Sequence, residues 1–431
     1  MKYWTWVIGR MKRKLWWQAV LYGLLGVATA LAATGAERWL TWQLPFDVSR
    51  EAVDSLLSII SSSMLAVTTF SLGAMTAAFS GAANGVTPRA VTLLMEDRVT
   101  HNVLSSFIGA FVFSIVSTIV LKTGSYGEPG RAVLFVITVA VIGLIVIQLL
   151  RWINHLILLG RLNNTVDQVE EATREALTHR LVSPYLGCHP WHRATPRPKG
   201  ATPVCGTEVG YVQFINYEAL SKLCGQYGLE AWLPLPTGSF CYQGTELVWL
   251  EGVVSDELID KARSHFVIAS NRSFEQDPRF GLAVLAEVGM RALSPGINDP
   301  GTALDVIARQ TRLLTLWSQG RDTAEVEYPR LHMVPLSDAD LFEDAFMLLA
   351  RDGAHMIEIQ LRLQKSLQAL QTLGSPVFKA AAHAQARSAA ERALDGMKAP
   401  CDLRRLLKVL EAGPRTPPKG RAVQNPRPKR A

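Results

Sequence analysis

Four uncharged apolar runs, residues 15–33, 56–78, 103–121 and 132–150, constrain this chain more than anything else in it; they are 19, 23, 19 and 19 residues long. A helix needs about 20 such residues to cross a roughly 30 Å hydrocarbon core, so each run is read as a transmembrane helix. The clustering accounts for a mean hydropathy of +0.15 with 19% charged residues. After about Arg151 the composition returns to that of a soluble protein. The expected fold class is therefore an α-helical membrane protein, with four transmembrane helices followed by a mixed α/β cytoplasmic domain. A secreted enzyme, a disulfide-stapled miniprotein and a disordered chain are excluded.

Charge sets the orientation. Nine basic residues (Lys2, Arg10, Lys12, Arg13, Lys14, Arg89, Arg98, Arg151 and Arg161) flank the runs on one side, against Arg38, Arg50, Lys122 and Arg131 on the other. The positive-inside rule then puts both termini in the cytoplasm. Trp4, Trp6, Trp16, Trp17, Trp39, Trp42 and Trp152 sit near the expected membrane boundaries, where an indole is favoured. Residues 1–33 also imitate a cleaved signal peptide, but a 19-residue apolar run exceeds the usual h-region of about 7–15, and a retained helix is expected. All five cysteines fall in the cytoplasmic part, where thiols stay reduced. Cys188, His189 and His192 offer a local metal pattern, but a closed site needs a fourth ligand; no metal and no cofactor is expected.

The second run carries Ser55, Ser58, Ser62, Ala66, Thr69, Gly73 and Thr76 at spacings of three or four. This is one small, hydroxyl-bearing helix face, with Leu56, Leu57, Ile60, Met64 and Val67 on a lipid-like one. Such a face either lines water or packs closely against another helix. No run contains Asp, Glu, Lys, Arg or His, which argues against pumps and ion-coupled transporters and leaves a passive pore. Hydroxyls and apolar constrictions would govern it, with Ile59, Leu65 and Phe70 as the nearest bulky residues. Thr87 and Pro88 then open an interfacial helix over 89–101, placing Arg89 and Arg98 among headgroups.

Residues 1–160 are thus assigned to the membrane domain, 161–203 to a stalk helix and linker, 204–270 to a small β-α-β-β module, 271–412 to a mainly helical region and 413–431 to a disordered basic tail. In the module, 210–216 and 229–235 read as strands around a helix over 217–227, with a hairpin at 239–243 and 246–251, a helix from 255 to 265 and a short strand over 266–270. Beyond it, Asp277-Pro278 and Asp299-Pro300 cap helices over 279–293 and 301–317. Helices over 337–373, 375–395 and 402–410 complete the chain.

The stretch from Phe280-Gly281 through Arg291-Ala292-Leu293-Ser294-Pro295-Gly296-Ile297-Asn298-Asp299-Pro300 resembles the signature of the bacterial predicted membrane proteins grouped as domain of unknown function 2254. The Gly210-Tyr211-Val212-Gln213 strand and Pro88-Arg89 are similar to its other landmarks, and the likeness covers about residues 50–315. The resemblance implies a bacterial plasma-membrane protein with a cytoplasmic domain, and no established activity. Within the signature, Glu287 and Arg291 are one turn apart and can pair, either can reach Asp305 across the connection, and Asn298 lies beside a helix N-terminus capped by Asp299. A structural clamp is the favoured reading over a ligand or ion site.

Of the formal net charge of +7, the tail from Gly413 supplies six. The basic balance therefore points to anionic headgroups and not to nucleic acid. Two functions fit. One is an oligomeric, ion-conducting pore walled by the second helix, with the cytoplasmic domain as vestibule or regulator. The other is a membrane-anchored sensor or scaffold whose cytoplasmic domain binds a ligand or partner. An enzyme is not expected, since no P-loop, zinc helix or nucleophile elbow is present in the sequence. The expected partners are the bilayer, further copies of the chain and inorganic ions.

Overall fold

The computed structural model describes residues 15–35, 49–85, 87–95, 97–124, 128–158, 162–192, 197–320 and 325–414. The basic N-terminal cluster, Trp4, Trp6, Trp39, Trp42 and the tail from 415 lie outside them. Contacts divide the chain into two units, Met1–Gln168 and Val169–Ala431.

The first unit holds α1 (Leu15–Gly35), α2 (Arg50–Gly85), α3 (Pro88–Met95), α4 (Arg98–Lys122) and α5 (Glu128–Leu158). Among the described residues three segments are long and apolar enough to cross a membrane, Arg50–Gly81, Val99–Lys122 and Gly130–Ile157. The first apolar run also forms a helix, but its apolar stretch among those residues is the shorter Ala19–Ala32.

Helix α4 is central, because glycines let a neighbour approach it. A Cβ on Gly26 would lie 2.8 Å from the Gly109 carbonyl oxygen, and one on Gly109 would lie 3.0 Å from Tyr22 Cβ. Tyr22 thus meets Gly109, Gly26 also meets Phe113, and Ala30 shares a core with Phe113 and Leu121. Sequence positions rise together, so α1 and α4 run in the same direction. Helix α2 runs the opposite way, its Arg50 Nη2 donating to the carbonyls of Leu121 and Lys122 at 2.8 and 3.0 Å. Val53 and Leu57 pack with Leu134 at that end, and Ile60 and Met64 pack with Phe107, Ile145 and Trp152 at the other.

The expected single interfacial helix over 89–101 is two elements. Thr87 Oγ1 accepts from Ala90 N at the start of α3, and Asp97 begins α4 afresh by accepting from Thr100 N at 2.7 Å. His101 therefore belongs to the central helix.

The second unit contains the greater part of α6 (Leu162–Val182) and two sheets. The five-stranded sheet has the order β1-β8-β4-β6-β2 and the three-stranded sheet β5-β3-β7. The strands are β1 (Cys188–Pro190), β2 (Thr202–Cys205), β3 (Gly210–Ile215), β4 (Glu230–Leu233), β5 (Phe240–Cys241), β6 (Glu246–Glu251), β7 (Phe266–Ala269) and β8 (Tyr328–Met333). Helix α7 (Tyr217–Tyr227) matches its sequence reading because Asn216 caps its start and Gly228, at φ +63°, ends it.

Two expectations fail here. The stretch after the stalk helix, up to 203, is not all linker: it supplies β1, which pairs parallel with β8 far along the chain, and the start of β2. Nor do 239–243 and 246–251 form a hairpin. Strand β5 pairs with β3, whereas β6 pairs with β2 and β4. The turn at Gly244 (φ +85°), where Tyr242 N donates to Thr245 Oγ1, carries the chain from one sheet to the other.

Helices α8 (Asp256–Arg263), α9 (Pro278–Ala292), α10 (Pro300–Trp317), α11 (Asp338–Asp352), α12 (Ile357–Leu370), α13 (Pro376–Gly396) and α14 (Pro400–Ala412) complete the unit. The single helix expected over 337–373 is divided at Gly353, which ends α11 and packs so closely against Ile359 that a Cβ there would clash.

Candidate functional site

The hydroxyl stripe of α2 lies on the uncovered side of the first unit. Ser55, Ser58, Ser62, Ala66, Thr69, Gly73 and Thr76 are all exposed, as are Ile59 at 62% and Phe70 at 70%. Each of three hydroxyls donates back to its own helix: Ser62 to Ser58 O (2.9 Å), Thr69 to Leu65 O (2.9 Å) and Thr76 to Leu72 O (2.8 Å). Donors are thereby satisfied while the oxygen keeps accepting capacity outward. The face read as lipid-like is the one that is covered, since Leu57, Ile60 and Met64 pack against α4 and α5. Among the described residues of this unit, no helix packs against the stripe. A Cβ added at Gly73 would meet no neighbour within 4 Å among the described residues.

At the end of α4 where Asp97 caps it, ionisable side chains gather that the uncharged windows had left out. His155 Nε2 lies 2.9 Å from Asp97 Oδ2 and 3.1 Å from Thr100 Oγ1, and Thr100 Oγ1 donates to Asp97 at 2.7 Å. Burial by itself raises the Asp97 carboxyl, but bonds from His155 and Thr100 outweigh it and hold the carboxyl below its ordinary range. The ring of His155 lies 5.9 Å from that of the buried Trp152. A groove of about 590 Å³ opens alongside, lined among others by Asn102, Gln148, Arg151, Asn154 and His155. Sequence reasoning passed over this cluster because it lies beyond the apolar windows. Its signal was present as Asp97 three residues before Thr100, and as Arg151 and His155 one turn apart.

The signature stretch is a tight helix connection. Asn298 adopts a left-handed conformation, φ +50°, its N–H donating to Ser294 O at 2.8 Å. Asp299 accepts from Thr302 N (3.1 Å) and Thr302 Oγ1 (2.6 Å), and these bonds lower its carboxyl pKa. Asp305 accepts from Arg309 of its own helix at 2.6 Å, and Glu287 and Arg291 are half-buried on α9. A side chain at Gly281 would overlap Thr173 of α6, so the Phe280-Gly281 pair has a packing reason. Arg279 binds Asp340 and Asp344, each at 2.6 Å.

Deeper in this unit Glu170 accepts from Arg174, Arg309 and Arg312 at 2.8 to 3.0 Å. Burial raises its carboxyl and the arginines more than reverse this. The Cys188, His189 and His192 pattern does not converge: Cys188 is buried in the core, and His189, the next residue on β1, faces the other side and stacks on His332. Among the described residues no group of three or more His, Cys, Asp or Glu is placed to hold a metal ion.

A helical unit with three membrane-length segments, followed by an α/β unit with helices, defines a class of membrane protein. The chain belongs to the family described as predicted membrane protein DUF2254, whose model matches residues 12–369. It is 29% identical over 116 residues to the uncharacterized protein Mb1321c of Mycobacterium bovis and to the uncharacterized protein Rv1290c of Mycobacterium tuberculosis H37Rv. The matched stretch is 26% of this chain and 22% of either relative, so it spans about a fifth of their length. No solved structure matches the chain.

Proposed function

We propose that this membrane protein is an oligomeric, ion-conducting pore walled by α2, with the second unit as a cytoplasmic vestibule or regulatory domain. One observation carries the reading: the hydroxyl stripe is exposed and faces away from the described helices of its own unit. A ring of copies would bring these faces together around water, with Ile59 and Phe70 as candidate apolar constrictions. Four crossings follow from the four apolar runs, both termini in the cytoplasm from the charge asymmetry, and a bacterial inner membrane from the family likeness. The alignment of α1 with α4 in the same direction supports the first crossing.

The first test is mass in detergent, where a monomer rejects the pore. Full-length protein in liposomes should then pass an ion flux that Ser62→Leu or Thr69→Leu alters; a flat trace from folded, oligomeric protein rejects it too. Orientation is checked with the exposed Cys401. A membrane-impermeant maleimide should label it in inside-out vesicles and leave it unlabelled in intact spheroplasts.

A further inference from the structure

Arg180, in the last turn of α6, is 1% exposed. Its Nη1 donates to Pro184 O at 3.2 Å and lies 3.9 Å from Met333 Sδ. Among the described residues, no acceptor meets its Nε or Nη2. That edge of a guanidinium is the one other arginines in this unit present to carboxylates. Arg272 reaches Asp277 with it at 2.7 and 2.9 Å, and Arg312 reaches Glu170 at 3.0 and 2.8 Å.

The surroundings of Arg180 do not neutralise it. Burial lowers its pKa, while Tyr217, Asp277 and Cys188 oppose the shift. Asp277 is already engaged by both nitrogens of Arg272 and by Phe280 N. Tyr217, Cys188 and Met333 belong to one packed core. The Tyr217 hydroxyl is buried there and has no partner among the described residues. Burial pushes the Cys188 thiol up to about 12 and raises the Tyr217 phenol as well, so both are neutral at physiological pH. An arginine keeps its proton in proteins, and a buried charge without a counter-charge is strongly unfavourable.

We infer that the Nε/Nη2 edge of Arg180 and the Tyr217 hydroxyl form a buried site for one small planar oxyanion, of the formate, bicarbonate or nitrate type. Two parallel N–H groups match two oxygens of such an anion, and the phenol supplies a third donor. The site lies wholly within the second unit and is independent of the pore reading.

The test is thermal unfolding of the full-length protein in detergent, with sodium formate compared against chloride and sulfate at matched ionic strength. Formate should raise the Tm saturably, with no such rise in Arg180→Met or in Arg180→Lys, which keeps the charge and loses the edge. Tyr217→Phe preserves the packing and should weaken the apparent formate affinity about fivefold, the worth of one neutral hydrogen bond. If the Arg180 variants do not fold, Tyr217→Phe carries the test. The proposal is overturned by a shift equal in all salts, by no saturable response to formate, or by an unchanged response in Tyr217→Phe.

Discussion

Helices α2 and α4 are written in the same alphabet, apolar residues interrupted by serine, threonine and glycine, yet they occupy opposite environments. In α4, Ser105, Ser106, Ser114 and Ser117 are buried, and Gly109 sits where α1 touches it. In α2, Ser55, Ser58, Ser62, Thr69 and Thr76 are exposed, and a side chain at Gly73 would meet none of the described neighbours. Local hydroxyl bonding does not separate them. Ser106 donates to Val103 O and Ser114 to Phe111 O in α4, just as Ser62 and Thr69 donate to their own helix in α2. The difference lies in neighbours: α4 is flanked by three helices, and α2 is covered on its Leu57, Ile60 and Met64 side. Small polar residues permit close approach, and which helix uses that permission is decided by the rest of the bundle.

The glycines offer the widest separation. Gly109→Leu must displace Tyr22 and should destabilise the first unit by at least about 3 kcal/mol, visible as loss of monodisperse protein in detergent. Gly73→Leu should leave yield and Tm unchanged. Equal damage from both would erase the distinction between the helices. Next come the serines. Ser105→Leu overfills a buried contact and should cost about 1–3 kcal/mol, read as a lower thermal midpoint.

Asp97→Ala removes the cap that starts α4 and should cost about 1 kcal/mol. Here pH gives a second reading. The folded carboxyl lies below its ordinary value of 3.8, so its stabilisation is present above about pH 4 and is lost as pH falls through the lower folded value. The Tm gap between wild type and Asp97→Asn should therefore narrow from pH 6 to pH 3. Like Gly73→Leu, Ser62→Leu should have the smallest effect on stability, within about 0.5 kcal/mol; a large loss would place that face in a packed contact.

Much of the second unit was legible because its signals are local. Asn216 and Gly228 bound α7, and Asp277-Pro278 and Asp299-Pro300 open α9 and α10, as their capping chemistry dictates. Strands β1 and β2 were not, because each is three or four residues long and is held by distant partners. The signature residues came together in part. Asn298 and Asp299 shape the connection, while Asp305 is bound by Arg309. The Asp97, Thr100 and His155 cluster was hidden for a similar reason, since it joins the start of one helix to the end of another.

The amino-acid order alone determined that this chain enters a membrane, where its apolar helices run and where many helices begin, since hydropathy and capping act within a few turns. Tertiary structure alone decided which hydroxyl face is left open, which serines are enclosed, and which arginine is buried without a carboxylate. Those outcomes depend on how several helices and strands compete for the same surfaces, and no single segment carries that information.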